Sequence, residues 1–196
     1  MSVRHSLLAL LTLGPCYGYQ LRAEYARRTG AARALNVGQI YNTLERLERD
    51  GFVVTAETDA QGHVYYRITD AGRAESERWL RTPSPGLDLD GLAAKIALAA
   101  SLPGADAFAA IDAERVAAPA PADPADAPPH DVTTLAGALA ASASAAAVDA
   151  RLAWLDAAER MLREHPVEPL PLAPSRPRRG RPARAVGTAP GHPAPA

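Results

Sequence analysis

The chain of 196 residues contains a single cysteine, Cys16. One thiol excludes an internal disulfide and fits a reducing compartment, and an isolated Cys is expected to pack as a small buried side chain. Aromatic residues make up only 5% of the sequence, so each Tyr and Trp carries a large share of the packing. No apolar run reads as long enough to span a membrane. Residues 7–13 are short enough for the core of a signal peptide but have no small-residue cleavage site behind them. The expectation is a cytoplasmic protein without a membrane partner. His5, His63, His130, His165 and His192 show no metal-ligand spacing, no glycine-rich phosphate loop follows a strand, and no nucleophile motif occurs. No metal, organic cofactor or enzymatic activity is expected.

Charge is present but unevenly placed. The formal net charge is −1, yet residues 1–82 hold 11 Arg against 9 acids, residues 83–166 hold 5 bases against 12 acids, and residues 167–196 hold 5 Arg against Glu168. Basic ends around an acidic middle suit a chain whose ends meet a polyanion. The hydrophobic content of 47% is largely alanine, which limits the core it can build.

The stretch from Gly38 to Phe52 has the sharpest pattern. Ile40, Leu44 and Leu47 form one apolar stripe at helical spacing, and Gln39, Asn42, Thr43 and Arg46 occupy the opposite face. Asn36 is placed to cap this helix, Gln39 to complete a capping box, and Gly51 to stop it. Two shorter helices are expected before it, from Val3 to Leu13 and from Tyr17 to about Arg28. After it, residues 52–58 and 63–69 read as a hairpin turning at 59–62. Along the second strand Val64, Tyr66 and Ile68 alternate with His63, Tyr65 and Arg67, giving a core face and a face free to meet a ligand. Thr69 then opens a fourth helix that carries Trp79. The expected fold class is mainly α with a two-stranded β-wing. It comprises a winged helix-turn-helix domain over residues 1–82, a helical dimerisation domain over 83–165, and an aperiodic, disordered basic tail over 166–196. The helix expected from Val132 to Arg163 has an apolar stripe longer than its own chain can cover, which points to a second subunit.

Three separated motifs in order, Gly14-Pro15-Cys16-Tyr17-Gly18-Tyr19-Gln20-Leu21, then Gly38 through Leu47 with Asp50-Gly51, then Tyr65-Tyr66-Arg67-Ile68-Thr69-Asp70-Ala71-Gly72, resemble those of PadR-type transcriptional regulators. The resemblance covers about residues 1–82. It implies a homodimer that binds double-stranded operator DNA, usually as a repressor, with the third helix in the major groove and the wing along the flanking backbone or minor groove. Leu152-Ala153-Trp154-Leu155-Asp156 resembles the end of the family's dimerisation helix, so Leu152, Trp154 and Leu155 are expected at the subunit interface. The basic pair that the family commonly carries before its two tyrosines is replaced here by His63 and Val64, which lowers the charge of the wing.

Expected DNA contacts follow from side-chain chemistry. Asn42 and Thr43 suit base edges and Arg46 a phosphate. Gln39 serves either the helix cap or DNA. The Tyr41 hydroxyl is expected on the DNA backbone, with its ring partly in the core. Of Tyr17 and Tyr19, one is expected to pack and the other to offer its hydroxyl to a phosphate, with an all-core role the alternative. His63 and Arg67 lie on the outer face of the wing. Arg178, Arg179 and Arg181 sit in a segment resembling an AT-hook, against the simpler reading of a low-complexity tail. Trp79 and Trp154 are candidates to line a pocket for a small-molecule effector, or are ordinary core residues. The competing functional class is a protein-interaction module that uses the winged helix as a scaffold.

Overall fold

Helix α1 (Val3–Leu11) is apolar on nearly every side, and Leu7, Leu8, Leu10 and Leu11 have no exposed surface. Such a helix is stable only when surrounded, and in the computed structural model α2 (Gly18–Thr29), α3 (Val37–Arg49), α4 (Asp70–Arg81) and α5 (Leu89–Ser101) all pack against it. The structure describes residues 3–30, 35–84, 86–117 and 132–174.

Helix α3 forms as its pattern dictates. Ile40, Leu44 and Leu47 are fully buried, and the Asn36 side chain accepts a hydrogen bond from Gly38 N at 2.8 Å. Gly51 takes φ 78°, and Phe52 N donates to Leu47 O at 2.9 Å, closing the helix with a left-handed turn. The chain then enters β2 (Val53–Thr58), turns, and returns as β3 (Val64–Ile68). The two-stranded wing forms as expected, and a third strand joins it. Cys16 and Tyr17 form a short β1 opposite Tyr66 and Tyr65, so the sheet is antiparallel with order β1-β3-β2. The register between β2 and β3 slips between Thr55 and Thr58, leaving a bulge.

The expected boundary near residue 82 does not separate two cores. Asp88 caps α5 through Gly91 N, and the helix then divides its side chains. Ala94 and Leu98, with Leu102 just after the helix, complete the first core, while Leu92, Ile96 and Ala99 face a second one built with α6 (Ala107–Val116) and α7 (Val132–Glu164). Leu155 belongs to this second core and has no exposed surface. It cannot meet another subunit, which corrects the expectation for that residue. Leu152 and Trp154 are half-buried, with Trp154 packed at the edge of the same core. By length and composition Leu135–Glu164 would suffice to cross a bilayer, longer than the apolar runs apparent in the sequence. Its apolarity comes chiefly from alanine, and its C-terminal half covers the second core.

A buried ionic cluster ties α5, α6 and α7 to the connection after α4. Lys95 Nζ donates to Thr82 O at 2.6 Å, Ser84 Oγ at 3.2 Å and Glu114 Oε1 at 2.7 Å. Glu114 also accepts from Ser84 N and from Arg151, and Arg151 reaches Leu87 O. Lys95 and Glu114 are both sealed from solvent, so each depends on the other for its charge.

Residues 166–174, expected to begin a structureless tail, run instead as an extended strap along α2. Leu170 N donates to Ser101 O, Arg28 donates to Leu170 O and Pro171 O, and Ala173 N donates to Glu24 Oε1. The disordered-tail expectation is corrected for these residues; residues 175–196 lie outside those described.

Candidate nucleic-acid interface

The apolar stripe of α3 fixes what its other face must present. Gln39, Asn42 and Arg46 are exposed, and none of their side chains has a hydrogen bond or ion pair among the described residues. Asn36 alone supplies the side-chain cap, so Gln39 is left outward. Thr43 differs: it is half-buried and its hydroxyl donates to Gln39 O at 2.7 Å, leaving only acceptor capacity and a methyl group for an external partner.

The N-terminal end of α2 abuts this face. A Cβ at Gly18 would lie 2.7 Å from Tyr41 Cζ, so only glycine lets the Tyr41 ring rest against the helix start. Tyr41 is half-buried; burial, and then the neighbouring Tyr19 and Tyr17, push its hydroxyl pKa up and keep it a neutral donor. Tyr19 is 52% exposed, an unusual position for a tyrosine in a protein with six. Tyr17 is half-buried and stacks on His63 with centroids 4.4 Å apart, while Tyr65 meets it edge-on at 5.3 Å. The two tyrosines therefore take different roles, Tyr17 in a stack and Tyr19 toward solvent.

The wing turn is held by Asp59, which accepts from Gln61 N and His63 N at 2.9 Å each and contacts His63 Nδ1 at 2.8 Å. Desolvation pushes the Asp59 carboxyl up, but the bonds from His63 and Gln61 outweigh it and leave the group below the usual carboxylate range. Arg67 is exposed and pairs with no acid among the described residues, so the neighbouring strand does not neutralise it. At the other end, Thr55 Oγ1 and Thr55 N donate to Glu48 Oε1 at 2.6 and 2.8 Å, and these bonds hold the Glu48 carboxyl low. This clamp ties α3 to β2.

The structure joins Tyr17 to His63 and Tyr65 and sets Tyr41 against the start of α2, while Tyr19, Gln39, Asn42, Arg46 and Arg67 are exposed and Thr43 half-buried. Sequence reasoning gave Tyr65 no contact role and missed the Glu48–Thr55 clamp. Strand alternation already placed Tyr65 beside His63 and Arg67, whereas the clamp depends on how the helix meets the sheet. Arg178, Arg179 and Arg181 lie outside the described residues. Trp79 is buried in the first core, stacked with His5 at 5.4 Å, and borders an open cleft of about 470 Å³ with Arg78, Ser84 and Leu87. Trp154 is not part of that cleft's wall.

Comparison with known proteins adds an independent line. Residues 7–78 match the model of the transcriptional regulator PadR-like family. A probable transcriptional regulator from Mycobacterium tuberculosis is 31% identical over 86 residues, which is 42% of this chain and 46% of that protein. The negative transcriptional regulator PadR of Bacillus subtilis is 30% identical over 87 residues, 42% of this chain and 47% of that protein. The chain spans under half the length of these two curated relatives. Among solved structures, Bacillus subtilis PadR in complex with operator DNA aligns over 81% of this chain and 97% of its own at 22% identity, with a TM-score of 0.38.

Proposed function

We propose, from the premise that the segment 7–78 belongs to the PadR-like family, that this chain is a cytoplasmic, dimeric repressor that reads operator DNA through α3. One observation carries the reading: α3 presents Gln39, Asn42 and Arg46 with no side-chain partner among the described residues, and Tyr19 and Arg67 are exposed as well. Asn offers the paired donor and acceptor that adenine requires, Arg46 and Arg67 offer charge to phosphates, and the tyrosine hydroxyls add neutral donors at the flank. Leu152 and Trp154 retain surface for a subunit contact. The N-terminal part of α7 is better supplied, because Leu135 and Leu139 are 51% and 63% exposed among the described residues. Two recognition helices related by a dimer axis would sit about one helical turn, roughly 34 Å, apart and select an inverted repeat. Relief by a small molecule is part of this reading, and the cleft beside Trp79 and His5 offers an aromatic wall for one.

Selection from a random-sequence duplex library is the test. An enriched inverted repeat, bound more weakly by about 1–3 kcal/mol after Asn42→Ala while random DNA is bound as before, is the expected result. No enrichment over random sequence would reject the reading and favour a scaffold that binds protein.

A further inference from the structure

The strap 166–174 touches one segment of the first core at two places. That segment runs from Gly14 to Arg28 and holds β1 and most of α2. Toward its far end, Glu24 and Arg28 are sealed from solvent and paired at 3.0 Å. A buried ion pair is stable only when its remaining hydrogen-bonding capacity is filled, and the strap fills it. Arg28 donates to Leu170 O at 2.7 Å and Pro171 O at 3.1 Å, Arg27 donates to Pro171 O at 2.6 Å, and Glu24 accepts from Ala173 N at 3.0 Å. Ser101 O brings the end of α5 to the same place, accepting from Arg28 Nη1 at 2.9 Å and from Leu170 N at 3.0 Å. At the near end of the segment, Leu172 packs against the first core, its Cδ1 3.4 Å from where a Cβ on Gly14 would stand.

Between these two anchors lie the tyrosines of the interface. Tyr17 pairs with Tyr65 in the sheet and stacks on His63, Gly18 lies against the Tyr41 ring, and Tyr19 is exposed. Where Tyr19 points depends on how α2 begins. Helix α2 has 12 residues, and the strap holds its last turns directly and the chain just ahead of its first turn through Gly14. A packed helix of this length shifts as a unit, so freedom at Arg28 is also freedom at Tyr19.

We propose that the strap is a positioning element for DNA binding: docked on Glu24 and Arg28 and against Gly14, it holds the start of α2 so that the Tyr19 hydroxyl meets a phosphate beside the site read by α3. This rests on the DNA-binding reading above. The strap follows directly on α7, so it also ties the second core to the edge of the interface. Cys16, the single thiol of the chain, reports on docking. It has no exposed surface, shares the first core with Leu172, and donates from Sγ to Gly14 O at 3.6 Å. Burial, and then the charge of Glu24, push its pKa up to about 12 against the opposing pull of Arg28, so the thiol lies within reach of the strap's ion pair and is inert while the strap is docked.

The experiment uses the full chain and the duplex enriched in the selection. Leu172→Asp charges the strap's apolar contact, and Ala173→Pro removes its donor to Glu24; each should release it. Both should weaken DNA binding by about 2- to 10-fold, the contribution of one neutral hydrogen bond, with helix content unchanged by circular dichroism. The slope of log K against log salt should keep its wild-type value, because no cationic contact is lost. Iodoacetamide should alkylate Cys16 faster in both variants, and Leu172→Met, which keeps the apolar volume, should match wild type in every measurement. The deciding comparison is made in a Tyr19→Phe protein. There the strap variants should cause no further loss of affinity, whereas a general loosening of the fold would add its own. Wild-type affinity in both strap variants, or an undiminished loss in the Tyr19→Phe protein, would overturn the proposal. So would a Cys16 that stays protected in both, since the strap would then not depend on these contacts. Failure of the DNA-binding reading shows separately, as a wild-type protein that enriches no duplex.

Discussion

Glu114→Gln should be the most damaging single conservative change in the second core. The side chain keeps its shape but loses the charge that balances Lys95, which has no exposed surface, and Arg151, at 13%. The new amide would also point N–H groups at a cation. Breaking a buried pair by neutralising one partner costs about 3–5 kcal/mol. For a domain of this size about 2–4 °C is lost per kcal/mol, so Tm should fall by about 6–20 °C. Thermal and urea unfolding followed by circular dichroism measure it. Lys95→Met placed on top of Glu114→Gln should recover part of the loss, because the stranded ammonium is removed with its partner. A Glu114→Gln protein within about 1 kcal/mol of wild type would show that water or a neighbouring carbonyl compensates Lys95, and the cluster would not couple α5, α6 and α7.

Gly18→Ala puts a methyl 2.7 Å from Tyr41 Cζ; the ring must move, costing about 1–3 kcal/mol in stability and weakening DNA binding with helix content unchanged by circular dichroism. Leu135→Asp with Leu139→Asp should yield a monomer in sedimentation if the exposed part of α7 holds the dimer, and an undisturbed dimer would place the contact elsewhere. The strap should also release in acid. Desolvation pushes the Glu24 carboxyl up, but bonds from Arg27, Ala173 N and Arg28 outweigh it, so its folded pKa lies below the ordinary 4.5. Its contribution is complete above that ordinary value and is lost as pH falls through the lowered one. The Ala173 amide resonance followed by NMR should report the release there, and a strap still docked after Glu24 has protonated would contradict the assignment.

The legible parts of this fold are those written in local spacing. Ile40, Leu44 and Leu47 state the buried side of α3, Asn36 its start and Gly51 its end, and with them the outward face that makes the candidate interface. Strand β1 was not legible, because two residues have no period and Cys16 and Tyr17 become a strand only by pairing with Tyr66 and Tyr65. The place of Leu155 could not be read either. One helical stripe serves a subunit contact and an intrachain core equally well, and only the arrival of Ile96 and Ile111 decides between them. The strap is the extreme case. Leu170-Pro171-Leu172-Ala173 has no pattern of its own, and its docking depends on Arg28 and Glu24, well over a hundred positions earlier.

Helix α5 has a consequence for how the molecule comes apart. Leu98 closes one core and Ile96 the other, on a single rigid rod of 13 residues. Melting that rod to free either side would strip both cores of their shared wall. The two halves should therefore unfold as one cooperative unit, with coincident transitions by near- and far-UV circular dichroism. A fragment cut in the Pro83–Gly86 connection would expose the surfaces of α1 and α2 that α5 covers, leaving α3 on a weakened core.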